Sequence, residues 1–451
     1  MNKNCYKLIF SKTRGCLVPV AECITSAVDS GSSDSVVVSE KTDEEDRQGS
    51  IEDYRLSNVC LSVKTFLNPV SSALCLNWKS VSVLLLSMVA APNFAQSAEE
   101  AAKAEKTPKL TEITSTNNNN DVQLDTSYKN QTGAGNTVAN DENNHPTKLY
   151  KTENNVIVID IAKPNDKGIS DNRFQKFNIP NGAVFKNNKD QQRSELVGYL
   201  EGNKNLADKE AKVILNQVTG SELSQIKGAL EILGTKADLV IANQHGINLN
   251  GVQTINAGRF VATTSKLIDP NKMEFDVTQG TVTIDVNGFA TDNLPYLDIV
   301  AKKIEQKGTI GNKEKEKNKT SETEITFIAG KGKIKYNIEN DGKTKLEVQK
   351  DSNTSQPSDK EEVAITGAST GAMHGKSIKL IVTEQGAGVK HDGIILSEND
   401  IKIESNKGDI DLGDKLQAKN EISLNNAKRI TIANEITADK SITITEQRKL
   451  S

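Results

Sequence analysis

Short stretches of alternating apolar and polar residues recur along the chain from residue 154 onwards. Each stretch is four to eight residues long, is rich in Val and Ile, and is bounded by Gly, Asn or Asp. Because alternation places successive side chains on opposite faces of a strand, these stretches predict β-strands. Helix signals are weak, and residues 206–214 are the best helix candidate. The stretches lie in NNVIVIDIAKP, AKVILNQV, KADLVIANQ, TVTIDVNGF, ETEITFIAG, KIKYNIEN and KTKLEVQK.

The C-terminal part of the chain repeats with one period. Three interlocked series of aliphatic positions recur at steps of 20 or 21 residues. One coil of a solenoid cannot bury its interior but stacked coils can, so a shared period predicts stacked coils. We predict an all-β fold, a right-handed parallel β-helix with coils of about 20 residues, and keep a β-sandwich with unrelated repeats as the alternative. The series are Ile401, Ile422 and Ile442; Ile410 and Ile430; Leu416 and Ile436.

The composition agrees with stacked aliphatic ladders. Aromatic residues make up 4 % of the 451 residues and hydrophobic residues 35 %. Neighbouring coils lie about 4.8 Å apart, a spacing that suits stacks of Val, Ile and Leu better than bulky rings. The net charge of −4 gives no reason to expect nucleic acid as a partner.

An export signal lies far from the N-terminus. An apolar run at residues 81–91 follows Lys79 and precedes small residues. Its length is typical of a signal peptide and too short to span a bilayer comfortably, so residues 78–97 are predicted to be a Sec signal peptide. Cleavage is expected near Ala95, Ser97 and Ala98. All the cysteines precede the cleavage region and lack zinc-ligand spacing; they are Cys5, Cys16, Cys23, Cys60 and Cys75.

The segment LVIANQHGINLNG, residues 239–251, places a histidine between two alternating stretches. Gly246 can supply a positive φ, and the Asn243 side chain can hydrogen-bond its own turn. We therefore expect His245 to occupy a turn between two coil strands, and we do not expect it to act as a ligand or an acid/base.

The first residues resemble the extended signal peptide region of large Gram-negative exported proteins. The matching positions are Met1-Asn2-Lys3, Tyr6, Ile9-Phe10-Ser11 and Val20-Ala21-Glu22. Residues 168–265 resemble the secretion domain of two-partner-secreted exoproteins, the family of filamentous haemagglutinin, haemolysins and contact-dependent inhibition proteins. The segment GISDNRFQKFNIPNGAVFKNN is similar to the opening pattern of that domain. The family motif Asn-Pro-Asn-Leu stands here as Asn-Lys-Asn-Leu, and Asn-Pro-Asn-Gly-Ile as Asn-Gln-His-Gly-Ile.

The resemblance implies a route and partners. Such proteins pass the inner membrane through the Sec translocon and the outer membrane through a cognate β-barrel transporter with POTRA domains. They fold as a β-helix outside, at the cell surface or as secreted protein of a Gram-negative bacterium. The secretion-motif residues implied by resemblance are Asn203, Asn205, Leu206, Asn216, Asn243, Gly246 and Ile247.

The predicted organisation has six parts. They are an extended signal peptide region at 1–28, a spacer at 29–77, the Sec signal peptide at 78–97, a flexible polar segment without a packed core at 98–150, a two-partner secretion domain with loop insertions and short extra β-elements at 151–400, and the truncated start of β-helical repeats at 401–451.

Three functions remain open. The exoprotein can be an adhesin or haemagglutinin that binds a host-cell or bacterial-cell surface receptor, or the N-terminal part of a contact-dependent growth inhibition protein. A β-helical polysaccharide-degrading enzyme is the third, and it requires clustered acids on adjacent coils. The acids here are scattered, and the four histidines show no metal-ligand spacing. We therefore expect no catalytic residues, no metal, no cofactor and no enzymatic activity.

Overall fold

The structure is a computed structural model that describes residues 6–11, 16–21, 107–114, 121–126, 147–206, 209–269, 273–312, 321–338, 344–349 and 362–446. The chain divides into two compact units, Met1–Ala102 and Lys103–Ser451. In the first unit, β1 (Tyr6–Ser11) and β2 (Cys16–Ala21) form an antiparallel hairpin. The predicted spacer, the Sec signal peptide and the cleavage residues Ala95, Ser97 and Ala98 lie outside the described residues.

The second unit is a parallel β-helix with three faces, A, B and C. Face A is an eleven-stranded sheet in which successive coils pair in parallel and a short first strand pairs antiparallel. With strands numbered in chain order, it contains β4 (Val122–Leu124), β7 (Ile169–Phe177), β11 (Val213–Val218), β13 (Ala237–Asn243), β15 (Ala257–Thr263), β20 (Tyr296–Ala301), β23 (Glu324–Ala329), β28 (Ser377–Gln385), β31 (Ile401–Asn406), β34 (Glu421–Ala427) and β37 (Ser441–Glu446).

Faces B and C are joined by two long strands that turn the corner between them, β12 (Ser224–Gly234) and β14 (Ile247–Ile255). Face B continues with β18 (Thr281–Ile284), β21 (Lys303–Gln306), β26 (Val363–Gly367), β29 (Gly388–His391), β32 (Ile410–Leu412) and β35 (Ile430–Ile432). Face C contains β6 (Ile157–Asp160), β8 (Ala183–Asn187), β19 (Phe289–Ala290), β22 (Ile310–Gly311), β27 (Met373–Gly375), β30 (Ile395–Ser397), β33 (Leu416–Ala418) and β36 (Ile436–Ala438). Two antiparallel strands, β3 (Leu110–Glu112) and β5 (Lys148–Thr152), extend face C at its N-terminal edge.

The repeat predicted from the sequence is confirmed by the strand register. Ile401 pairs with Ile422, which pairs with Ile442, and the other two series pair in the same way. Inward aliphatic side chains from all three faces form one continuous core along the coils. A solenoid gains its stability from such contacts between neighbouring coils.

A four-stranded antiparallel sheet lies outside the helix. It consists of β16 (Ser265–Asp269), β17 (Glu274–Val277), β24 (Gly332–Ile338) and β25 (Thr344–Gln349). It covers the outer surface of face A and closes a second apolar core there, which includes Val240, Val261, Phe275, Val300 and Ile334. A hairpin of β9 (Gln192–Ser194) and β10 (Gly198–Leu200) similarly covers part of face C.

Two sequence-based expectations are wrong. Residues 98–150 contain β3, β4 and the start of β5, and Val122 and Leu149 are buried in the main core, so part of this segment is packed. In residues 206–214, Leu206 ends a 3-10 turn, Lys204–Leu206, and β11 begins at Val213, because the aliphatic side chains there join the ladder of face A. Within the described residues, none of the helical segments is long and apolar enough to cross a membrane.

Candidate functional site: the asparagines of the first coils

The Asn-Lys-Asn-Leu motif, residues 203–206, forms hydrogen bonds that hold the chain where it passes from face C to face A. Asn203 is 2 % exposed, and its Nδ2 donates to the carbonyl oxygens of Ile161 at 3.0 Å and Lys186 at 2.9 Å. Its Oδ1 accepts the backbone N–H of Asn205 at 3.0 Å, and Asn205 Nδ2 donates to the same Ile161 oxygen at 3.0 Å. Leu206 is buried in the main core. The turn thus binds the backbone of β8 and the end of β6 at once.

Ser170 and Asn172 of β7 also form hydrogen bonds to the segment after β6, residues 161 and 162. The backbone N–H of Ala162 donates to Asn172 Oδ1 at 2.9 Å, and its carbonyl oxygen accepts the Ser170 hydroxyl at 2.7 Å. Thr147 Oγ1 donates to the same Asn172 oxygen at 2.8 Å. Sequence reasoning gave Asn172 no site role, because its partners are distant in sequence and leave no local pattern.

Asn172 and Asn216 are direct register partners on β7 and β11, and both are fully buried. Asn172 Nδ2 donates to the Leu215 carbonyl oxygen at 3.2 Å, and Asn216 Nδ2 donates to that of Val240 at 3.2 Å. Each amide therefore bonds the backbone of the next coil. Asn203 and Asn205 are connected to Asn172 through the segment after β6, and Asn216 lies next to Asn172 in the register of the following coil.

Asn243 lies at a different corner, where face A passes to face B. Its Nδ2 donates to the Glu222 carbonyl oxygen and to Ser224 Oγ, both at 2.9 Å. Its Oδ1 accepts the backbone N–H of His245 at 2.9 Å, and its carbonyl oxygen accepts the Gly246 N–H at 3.0 Å. The predicted Asx-type turn is confirmed, and the His245 backbone is part of it.

Glycine is required at position 246. Gly246 has φ of +116°, and a Cβ there would lie 2.9 Å from Leu223 Cδ1 and 3.0 Å from the Thr281 carbonyl oxygen. Ile247, which follows, is fully buried in the main core. The His245 ring contacts the neighbouring Gln244 amide, with 3.1 Å between the Nε2 atoms.

The motif side chains divide sharply by exposure. All seven predicted motif residues are buried, whereas Lys204 is exposed and Gln244 and His245 are partly exposed. The positions at which this chain departs from the family pattern are therefore those that reach solvent. A buried amide bonded on several sides can hold the backbone of neighbouring coils, but it cannot contact a partner while the coils stay folded.

An ion pair lies beside the first motif. Lys186 Nζ is 2.7 Å from Asp160 Oδ1, and both side chains are largely buried, which links β6 to β8. Burial raises the pKa of the Asp160 carboxyl, and the neighbouring Lys186 and Lys148 oppose that rise. Among the described residues, no group of three or more His, Cys, Asp or Glu could hold a metal ion.

Two family matches cover most of the described chain. The family described as TPS secretion domain matches residues 134–412, which is more than half of the chain. The chain belongs to this family. The extended signal peptide of the type V secretion system matches residues 1–43. A TPS secretion domain implies a cognate outer-membrane transporter, and the signal peptide implies the Sec route, so the chain is part of a secreted Gram-negative exoprotein.

Relatives of this TPS domain chain are much longer proteins. Protein adenylyltransferase and cysteine protease IbpA of Histophilus somni is 96 % identical over 446 residues, 99 % of this chain and 11 % of that protein. Filamentous hemagglutinin of Bordetella pertussis is 34 % identical over 62 % of this chain and 8 % of its own length. The 16S rRNA endonuclease CdiA of Enterobacter cloacae is 29 % identical over 68 % of this chain and 9 % of its own length. The chain thus spans about a tenth of these relatives.

A solved TPS domain has the same architecture. The filamentous hemagglutinin secretion domain superposes with a TM-score of 0.56 at 30 % identity, over 66 % of this chain and 96 % of that chain. The predicted family and the predicted β-helix are therefore confirmed.

The expectation that the protein is not an enzyme is wrong. A protein 96 % identical to this chain is named as an adenylyltransferase and cysteine protease. The expectation rested on scattered acids within this chain, and this chain spans 11 % of that relative. Residues of the TPS domain region therefore carry no signal about activities elsewhere in such a protein.

Proposed function

We propose that this chain delivers a large exoprotein to the cell surface by starting its folding after passage through a cognate POTRA-containing β-barrel transporter. The observation that supports this is the burial of every motif asparagine among backbone groups of two or three neighbouring coils. Such side chains act once the coils have formed. The motif therefore stabilises the folded state, and the transporter binds the chain before these contacts form.

The order of these contacts along the chain gives folding a starting point. Asn203 and Asn205 bond Ile161, which lies more than 40 residues earlier. Closing a loop of that length costs entropy before any ladder contact compensates for it. Once the first coil is fixed, each new coil adds to an existing edge. Folding outside the membrane then opposes movement of the chain back through the transporter.

The first candidate for the exoprotein's task is adhesion to a host-cell or bacterial-cell surface receptor, which kinship with filamentous hemagglutinin supports. A second candidate is delivery of an enzymatic segment, including a contact-dependent inhibition toxin. The near identity to a protein named adenylyltransferase and cysteine protease favours it, as does kinship with CdiA.

The two tasks are distinguished with the full-length secreted protein. Adhesion predicts saturable binding to red cells or bacteria that is retained when the protein is heat-treated just enough to lose enzymatic activity. Delivery of an adenylyltransferase predicts transfer of AMP to target-cell proteins, measured with labelled ATP. AMP transfer without cell binding would reject the adhesin candidate.

The delivery proposal is tested with Asn203→Ala. The substitution leaves the buried Lys186 carbonyl oxygen and the Asn205 N–H without their side-chain partners, at a cost of about 1 to 3 kcal/mol for each such group. We expect the secreted protein to become protease-sensitive and its yield to fall several-fold when it is co-expressed with the cognate transporter. Immunoblots of medium and cells, with and without protease, measure both effects.

Lys204→Ala is the matched control, because Lys204 occupies the same turn and is exposed. It should be secreted and folded as the unaltered chain is. Wild-type secretion and protease resistance of Asn203→Ala would contradict the proposal. Loss of secretion with unchanged folding of the purified variant would instead assign the motif to recognition by the transporter.

A further inference from the structure

A carboxylate lies within the apolar outer surface of face C. Glu231 is 3 % exposed, and in the strand register it lies between Val184 of the preceding coil and Ile255 of the following coil. Val184 and Leu233 belong to the apolar cluster beneath the hairpin of β9 and β10. A buried carboxylate is costly unless hydrogen-bond donors replace the water that it loses. The hairpin supplies these donors.

Three donors at the tip of the hairpin converge on the Glu231 carboxylate. The Ser194 hydroxyl donates to Oε2 at 2.5 Å, and the backbone N–H groups of Glu195 and Leu196 donate to Oε1 at 2.9 Å and to Oε2 at 3.2 Å. Consecutive backbone N–H groups that point to one side form an anion-binding turn. Because hydrogen bonds to a charged acceptor are stronger than neutral ones, they hold the tip on face C more firmly than neutral bonds would.

The base of the hairpin is closed without Glu231. We call residues 189–202 the strap, which begins after Asn188 and ends before Asn203. The Asn203 N–H donates to the Asn188 carbonyl oxygen at 2.8 Å. Gly202 lies against the other leg of the strap, where a Cβ would be 1.8 Å from the Lys189 carbonyl oxygen. The two legs therefore stay together at the base when the tip moves.

Between its base and its tip the strap is held weakly. Three register pairs join β9 and β10, and a two-stranded ribbon is marginally stable by itself in water. Within the strap, which lies wholly in the described residues, only Ser194 and Leu200 are buried. Leu196 and Val197 pack partly against the apolar cluster and also line a cavity of about 270 Å³. The tip thus has unfilled space on one side.

We propose that the strap opens from face C as a unit while the coils stay folded, and that Glu231 is the residue that holds it closed. In the closed state the carboxylate accepts the three donors of the tip. In the open state water replaces them, so closing gains only the difference between the two sets of hydrogen bonds. Opening exposes Val184 and Leu233, and the strap is therefore a cover whose release presents an apolar surface on a folded domain.

Thiol labelling of the full chain measures the opening. The sequence has no cysteine after residue 75, so Val184→Cys places a single thiol beneath the strap, and mass spectrometry of its peptide distinguishes it from the others. Its reaction with N-ethylmaleimide requires local opening. Adding Glu231→Gln keeps the size of that side chain but places an NH₂ group against the donors of the tip. We expect labelling to accelerate about 10- to 100-fold, because bonds to a charged acceptor are lost.

Val240→Cys is the matched control, because Val240 is also buried on an outward face, beneath the four-stranded sheet. Its labelling rate should not change when Glu231→Gln is added. Acceleration at both positions would show that the coils loosen as a whole. An unchanged rate at Val184→Cys would show that Glu231 does not hold the strap. Either result would overturn the proposal.

If Glu231→Gln fails to fold, Ser194→Ala tests the same contact from the strap. It removes the hydroxyl donor and leaves Glu231 unaltered. Labelling at Val184→Cys should accelerate about tenfold. Hydrogen exchange should show lost protection in β9 and β10, whereas β8 and β12 should keep theirs. Loss of protection in all four strands together would contradict opening of the strap as a separate unit.

Discussion

Ile422→Asp is expected to unfold the coil that contains β34, whereas Ser423→Asp is expected to leave it folded. Ile422 is fully buried in the ladder between Ile401 and Ile442. Burying a carboxylate there, and losing the isoleucine, should cost more than about 4 kcal/mol. Ser423 lies on the opposite side of the same strand, beside Lys402 in the register, so a carboxylate there stays in water near a positive charge.

Limited proteolysis and hydrogen exchange measure the effect. Each coil contacts only its neighbours, so loss of protection in Ile422→Asp should be confined to the residues from β31 onwards, while β7 to β15 keep theirs. Equal behaviour of the two variants would show that side-chain direction does not decide stability here. If folding outside drives export, surface appearance should also slow in Ile422→Asp and not in Ser423→Asp.

Arg259→Met is expected to lower the free energy of unfolding by about 3 to 5 kcal/mol, because it leaves a buried carboxylate without its partner. Arg259 on β15 forms an ion pair with Asp298 on β20, and their residues are 6 % and 3 % exposed. The guanidinium also lies over the Tyr296 ring, 4.2 Å from its centroid. Both charges sit on the outer side of face A, next to the apolar core under the four-stranded sheet.

The pH dependence of this variant has a definite sign. Burial already raises the pKa of Asp298, and Arg259 opposes that rise. Without Arg259 the folded state holds the proton more tightly than the unfolded state, so Arg259→Met should lose stability as the pH rises above about 4. Urea unfolding at pH 4 and pH 7 tests this.

The double variant Arg259→Met with Asp298→Leu is the control. Replacing both partners of a buried pair with apolar residues is often close to neutral. Most of the lost stability should therefore return, and the pH dependence should disappear. A double variant as unstable as Arg259→Met would mean that lost packing, and not the orphaned charge, is responsible.

Much of the fold follows from local pattern. The ladder of Ile401, Ile422 and Ile442 was predicted from a period in the sequence, because each coil must repeat the same inward positions to stack. The strands at 333–338 and 344–349 were predicted as strands too, but their place in a separate antiparallel sheet was not. Alternation reports that one face is buried and says nothing about which surface buries it.

The candidate site likewise combines features that the local sequence predicts with features that only the stacking of coils creates. The turn at Asn243 and Gly246 was predicted because its hydrogen bonds join residues two or three apart. Asn172 was given no role and Asn216 was named only by resemblance, because their partners Ala162, Leu215 and Val240 reach them only when coils stack. Short β4 was missed for a related reason: three residues carry too little periodicity to be read, and only the edge of β7 makes them a strand.

The sequence by itself determined the repeating coil, the turn at the second motif and the family of secreted proteins. These depend on residues close together in the chain or on a period that stacking imposes on every coil. Only the tertiary structure decided that the motif asparagines face inward and bind neighbouring coils, that a separate sheet covers face A, and that Arg259 is buried beside Asp298. The physical reason is that a parallel coil brings together residues 20 to 45 positions apart, so the partners of each inward polar group are set by the stacking and not by its sequence neighbours.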